Sequence, residues 1–182
     1  MRRIRRPDRL YLAGALLILV FITTLSFQDW NTFGSTALEV EQTRQILQHT
    51  ESLLSSVKDA ETGQRGFVIT GDDQYLDPYK SAVAALPSEL SQLRALSANR
   101  PAVRPRIDAL EVLVREKLEE LNDTILLRRK QGFQAAQEVI STNRGKKTMD
   151  EIRRLAGEIE NEVYTRLTIE SRQWQKEGSK PS

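Results

Sequence analysis

Few side chains in this sequence are suited to covalent chemistry. Its 182 residues include no cysteine and one histidine, His49. Thiol nucleophiles and thiolate metal sites are therefore excluded, as are zinc sites built on several histidines, and one helical histidine gives no support to a Ser-His-Asp triad. Gly145-Lys146-Lys147-Thr148 has the ending of a phosphate loop, but Ile140 stands where its first glycine is required. Asp72 and Asp73 suit helix capping better than metal binding. What remains is ion-pair and hydrogen-bond chemistry, concentrated at Glu61, Gln64 and Arg65. No enzyme, no metal and no cofactor are expected.

Those three residues lie in Asp59–Tyr79, DAETGQRGFVITGDDQYLDPY, which interrupts a regular helical repeat. Upstream, Val40, Thr43, Leu47, Thr50, Leu54 and Val57 recur every three or four positions. The same register puts Glu61 and Gln64 on the seam and then returns to Val68. A charge on a helix seam is costly unless it is paired, and it is tolerated where it sets register or function. Glu61 and Arg65 have the i,i+4 spacing of a salt bridge. They form either a solvated pair or part of a half-buried network reaching Thr124 or Arg128 on a later helix. Such a network either fixes helix register or holds a ligand. Gly63 and Gly66 fall off the seam, where close approach of a second subunit or local loosening of the helix are the two readings. Tyr75 and Tyr79 read as packing around a cap, and His49 as an exposed or half-exposed helix residue.

The elements that position these residues are helices. A first helix is expected over about 31–70 and could be continuous with an N-terminal apolar helix. Gly71, as C-cap, and Asp72 or Asp73, as the next N-cap, mark a reversal. A second helix carries Leu76, Tyr79, Val83, Leu86, Leu90 and Leu93, with Pro78 near its start and a kink expected at Pro87. A third begins near Pro105 with Ile107, Leu110, Val114, Leu118, Leu121 and Ile125 on one face. Gly132 interrupts it, and Phe133–Ile140 either continue it or pack as a separate turn. After Thr142–Gly145, a last helix shows Met149, Ile152, Ala156, Ile159, Val163 and Leu167. No strand pattern is present. The fold expected is all-α, an up-down four-helix bundle preceded by one N-terminal transmembrane helix.

That span is Leu10–Gln28, LYLAGALLILVFITTLSFQ, which has no charge and is long enough to cross a bilayer as a helix. Arg2, Arg3, Arg5, Arg6 and Arg9 precede it and place the N-terminus in the cytoplasm, while Trp30 suits the far interface. No A-x-A cleavage site follows, which favours an uncleaved anchor over a signal peptide. The expected organisation is a basic flank over 1–9, the membrane helix over 10–28, an extracytoplasmic domain over 29–175 and a disordered tail over 176–182. Of 27 basic and 25 acidic residues, five arginines and Asp8 precede residue 28, leaving 22 basic and 24 acidic. The basic excess thus belongs to the membrane flank, and nucleic-acid binding is excluded.

Asp59–Tyr79 resembles the signature of the type-3 CHASE domains, extracytoplasmic sensory modules of bacterial histidine kinases, cyclases and chemoreceptors. A second segment, KLEELNDTILLRRKQGFQAAQEVISTNRGKKTMDEIR, resembles the same family through Glu120, Leu121, Thr124, Ile125, Arg128, Gly132, Ala135-Ala136, Gly145, Lys146, Met149 and Asp150. The resemblance covers roughly residues 35–170. It implies a helical bundle that relays an outside condition across the bacterial inner membrane by helix rearrangement. The family pattern brackets such a bundle between two membrane helices, and no second apolar span or output region follows here. The expectation is therefore a single-pass, periplasmic sensor, acting as a homodimer and coupling to a separate histidine kinase, cyclase or other output protein. The alternative is a membrane-tethered scaffold or the remnant of a shortened receptor.

Overall fold

The computed structural model describes the backbone of residues 6–178, and the side chains of residues 38–169 with a few between 16 and 24. The helices are α1 (Arg6–Thr70), α2 (Asp77–Leu96), α3 (Arg104–Gln131), α4 (Phe133–Ser141) and α5 (Arg144–Gly178), with a 3₁₀ turn at Asp73–Leu76. No strand occurs among the described residues. The chain divides between Glu41 and Gln42 into two compact units, and the bundle is the second.

Each long helix of the bundle buries one stripe. On α1 it is Thr43, Ile46, Thr50, Leu53, Val57, Ala60, Gln64 and Phe67. Every seventh residue of the expected seam is there, but Ile46 and Leu53 replace Leu47 and Leu54, which flank the core half-buried. Where neighbouring positions are both apolar, a 3.6-residue period cannot choose between them. Val40 is 48% exposed, off the stripe. On α2 the buried residues are Ala82, Leu86 and Leu93, whereas Val83 is 40% exposed. On α3 they include Ile107, Leu110, Val114, Leu121 and Ile125, and on α5 Met149, Ile152, Ala156, Ile159 and Val163. One large apolar cluster joins residues of α1, α2, α3 and α5, and a smaller one gathers Phe67, Leu76 and Ile125. Fully burying one such side chain contributes about 1.5–3 kcal/mol.

Polar contacts fix the directions of the helices. Ser52 of α1 donates to Glu89 of α2 at 2.8 Å, and Arg100 beyond α2 donates to Thr43 at 3.1 Å. Arg128, near the end of α3, donates to the Val68 carbonyl near the end of α1 at 2.8 Å. Gly145 at the start of α5 meets Lys117, and Glu158 further along meets Arg106 at 3.4 Å. The four long helices therefore alternate up and down.

The punctuation follows backbone sterics. Gly71 has φ +74°, and its N–H donates to the Phe67 carbonyl at 2.7 Å; the Asp72 carboxylate then accepts the Gln74 N–H at 2.9 Å. Pro78 lies in the first turn of α2, which runs through Pro87 without ending. Gly132, at φ +91°, ends α3, its N–H donating to the Arg128 carbonyl at 3.0 Å. A residue with a Cβ adopts that conformation only under strain. The chain turns back there, so α4 is a separate helix and not a continuation of α3.

Leu10–Gln28 is helical backbone within α1, although many of its side chains lie outside the described residues. Among the described residues no helix is long and apolar enough to cross a membrane. Arg5 and the side chains of Arg6, Arg9 and Trp30 also lie outside the described residues. α5 extends to Gly178, into the stretch expected to be a tail, whose last four residues lie outside them too.

Candidate functional site

The polar centre of the bundle is Lys117, on the buried face of α3 and only 1% exposed. Its ammonium donates to Glu120 at 2.9 Å, to Glu61 of α1 at 3.3 Å and to the Gly145 carbonyl of α5 at 3.2 Å. All three ammonium protons are thus used, and three helices meet on one charge. The Glu61 and Glu120 side chains are 12% and 10% exposed. An uncompensated charge at such a depth costs several kcal/mol, so each member holds the others in place.

Gly145 makes the crossing possible. A Cβ there would lie 2.6 Å from a Glu120 carboxylate oxygen and 2.8 Å from the Lys117 ammonium. Bare backbone lets the first turn of α5 approach the α3 pair and offer its carbonyl.

Glu61 also accepts from Arg65 at 2.8 Å, the i,i+4 pair the spacing implies. Glu61 does pair with α3, but its partner there is Lys117 and not the expected Thr124 or Arg128. Thr124 is buried and donates to the Glu120 carbonyl of its own helix at 2.8 Å. Arg128 instead donates to the Val68 carbonyl and lies beside Gly71, tying α3 to the end of α1. Gln64 is 2% exposed, and its amide nitrogen has no hydrogen-bond partner among the described residues. It lines a cavity of about 90 Å³ with Glu61, Arg65, Lys117, Glu120 and Gly145.

Lys117 was missed by the sequence reading. The signal lay in strict heptad counting: Leu110, Val114, Lys117, Leu121, Thr124 and Arg128 alternate steps of four and three. Choosing apolar Leu118 for that stripe hid the lysine beside it.

Gly63 and Gly66 do not present a bare outer face. A Cβ on Gly63 would lie 2.8 Å from the Tyr75 carbonyl oxygen and 3.1 Å from the Tyr79 nitrogen. A Cβ on Gly66 would lie 2.5 Å from the Tyr75 ring. The close approach is made by this chain's own turn, so the two glycines no longer give grounds for a subunit contact. Tyr75 and Tyr79 do pack at the turn. Burial and then the Asp123 charge push the Tyr79 phenol above its usual 10.0. Asp73, at the 3₁₀ turn, accepts from Arg129 at 2.7 Å, while the Arg129 guanidinium covers the Phe67 ring at 5.4 Å. His49 is half-buried on α1.

At the other rim of the cavity Lys146 donates to Asp150 at 2.7 Å. That bond, with a further one from Arg153, holds the Asp150 carboxyl below its usual range.

Comparison with known proteins agrees with the helical fold. The family described as the CHASE3 domain matches residues 36–173. Among solved structures, the sensor domain of the Rhodopseudomonas palustris histidine kinase HK9 is similar at 26% identity with a TM-score of 0.62. The alignment covers 70% of this chain and 98% of that domain. No curated protein sequence matches.

Proposed function

We propose, from the premise that this chain belongs to the CHASE3 domain family, that it is a membrane-anchored extracytoplasmic sensor working by rearrangement of its helices. One observation carries the mechanism: the Lys117 junction joins α1, α3 and α5 through a single buried charge. A condition that alters one partner of that lysine alters all three helices together. Packed helices hold discrete arrangements and do not deform continuously, so the response is a shift between two packings. α1 carries Glu61 and also the apolar N-terminal segment, which makes it the element to transmit the change.

Anchoring is supported by the uncharged Leu10–Gln28 run behind five arginines. Within it, Ile18, Leu19, Val20 and Phe21 expose half or more of their surface, and four successive residues point to every side of a helix. A helix apolar all round suits lipid better than water. The orientation places the N-terminus in the cytoplasm and the bundle outside.

The sensory role is tested by a domain exchange. Residues 36–173 replace the sensor of a CHASE3 histidine kinase, and kinase output is read with and without Lys117→Met. Altered basal output in a folded, membrane-inserted chimaera supports sensing; unchanged output would mean a tethered scaffold. Anchoring is tested separately with the full-length protein. Resistance to carbonate extraction and degradation by protease added from the periplasmic side are expected, and release into the soluble fraction refutes the anchor.

A further inference from the structure

The cavity beside Lys117 has the chemistry of an anion site. Gln64, 2% exposed, lines it and carries an amide nitrogen with no hydrogen-bond partner among the described residues. Gly145 and Lys146 line the same cavity from the first turn of α5. The Arg144 N–H is taken by the Thr142 hydroxyl at 3.3 Å and the Lys147 N–H by the Asn143 carbonyl at 3.0 Å. The Gly145 and Lys146 N–H groups between them have no hydrogen-bond partner among the described residues. The start of a 35-residue helix carries partial positive charge, and its leading N–H groups are natural anion donors.

The charged side chains around the cavity leave one cationic edge free. Arg65, Lys117 and Lys146 line the cavity against Glu61 and Glu120. Both carboxylates are engaged by Lys117, and Glu61 by Arg65 as well. Arg65 uses one guanidinium nitrogen on Glu61 and has no other partner among the described residues. Lys146 is balanced by Asp150 at 2.7 Å, so the side chains around the cavity are close to neutral, and the attraction for an anion comes from the helix N-terminus, the outer edge of Arg65 and the unpartnered Gln64 amide. A cavity near 90 Å³ takes a molecule of a few heavy atoms, well beyond a single water.

We propose that this cavity binds a small monovalent oxyanion of carboxylate type, held by the Gln64 amide, the Gly145 and Lys146 N–H groups and the outer edge of Arg65. A planar carboxylate offers two acceptor oxygens to donors arriving from α1 and α5, which a spherical halide does not. Occupancy bridges those two helices next to the Lys117 junction. The idea deepens the sensory reading by naming what the site takes, and as a signal it rests on that reading.

The test is a titration of ¹⁵N-labelled full-length protein in detergent micelles with sodium acetate, at ionic strength held constant with sodium chloride. Saturable shifts of the Gly145 and Lys146 amides and the Gln64 side-chain amide are expected. Gln64→Leu should weaken acetate at least tenfold without lowering the melting temperature in chloride alone. Absence of saturation, shifts scattered over surface lysines, or equal affinity in Gln64→Leu would overturn the proposal. Should that variant fail to fold, the wild-type titration decides alone. Amide shifts do not depend on any signalling output, so a negative result here leaves the sensory reading intact.

Discussion

Lys117 is the residue on which the most depends. It is the largest fully buried side chain among the described residues, and it is charged. Replacing it with methionine removes the cation and leaves Glu61 and Glu120 at a depth where carboxylates need a partner. Lys117→Met is expected to cost about 3–5 kcal/mol in urea unfolding. Lys117→Met with Glu120→Gln should cost measurably less than the single change, because one stranded charge is gone. If the double variant is the less stable, the lysine acts by packing and not by charge. Tyr79 gives a pH prediction. Its folded-state value is raised above 10.0, so ionisation is easier in the unfolded chain. Its contribution to stability is complete below pH 10 and is lost as pH rises through the folded value. Tyr79→Phe should flatten the alkaline fall in melting temperature, and an unchanged fall would remove Tyr79 from the account. Glu61 and Arg65 could be paired on sight because i,i+4 is a local distance. Lys117 lies 56 residues from Glu61, and no local spacing connects them.

At the scale of elements, two glycines make opposite predictions from the same substitution. Helix interiors favour alanine over glycine by about 1 kcal/mol. Gly157 of α5 has nothing within 4 Å of an added Cβ, so Gly157→Ala should raise stability by up to about 1 kcal/mol. Gly63→Ala meets backbone atoms of Tyr75 and Tyr79, which do not move like a side-chain tip. Overpacking of that kind costs about 1–3 kcal/mol, so the net effect should be a loss. Thermal unfolding of the two variants checks both signs, and a gain at Gly63 would mean that the turn is looser than its packing implies. Helix ends were readable in advance because caps are local: Gly71 and Asp72 do what their residue types require. The face of a helix was less readable. In α1 the sequence offers apolar neighbours at Ile46-Leu47, Leu53-Leu54 and Phe67-Val68, and only the partner helices select within the first two pairs.

For the molecule as a whole, one continuous core running through α1, α2, α3 and α5 predicts cooperative unfolding of the bundle. Loss of far-ultraviolet circular dichroism and of amide protection in α2 and α5 should share one urea midpoint; separate midpoints would show that the helices unfold independently. The all-helical composition, the break positions and the family were already determined by the amino-acid sequence. Hydrophobic period, caps and turn glycines act over fewer than about ten residues, and the family signature is itself a string of residues. The separation of α4 from α3 needed the geometry of Gly132, since a glycine can end a helix or merely weaken it. Only the tertiary structure set Glu61, Lys117, Glu120 and Gly145 around one point and closed the glycine face of α1 with the chain's own turn. Burial brings those residues together across the bundle, and burial is a property of packed helices that no single helix carries in its own sequence.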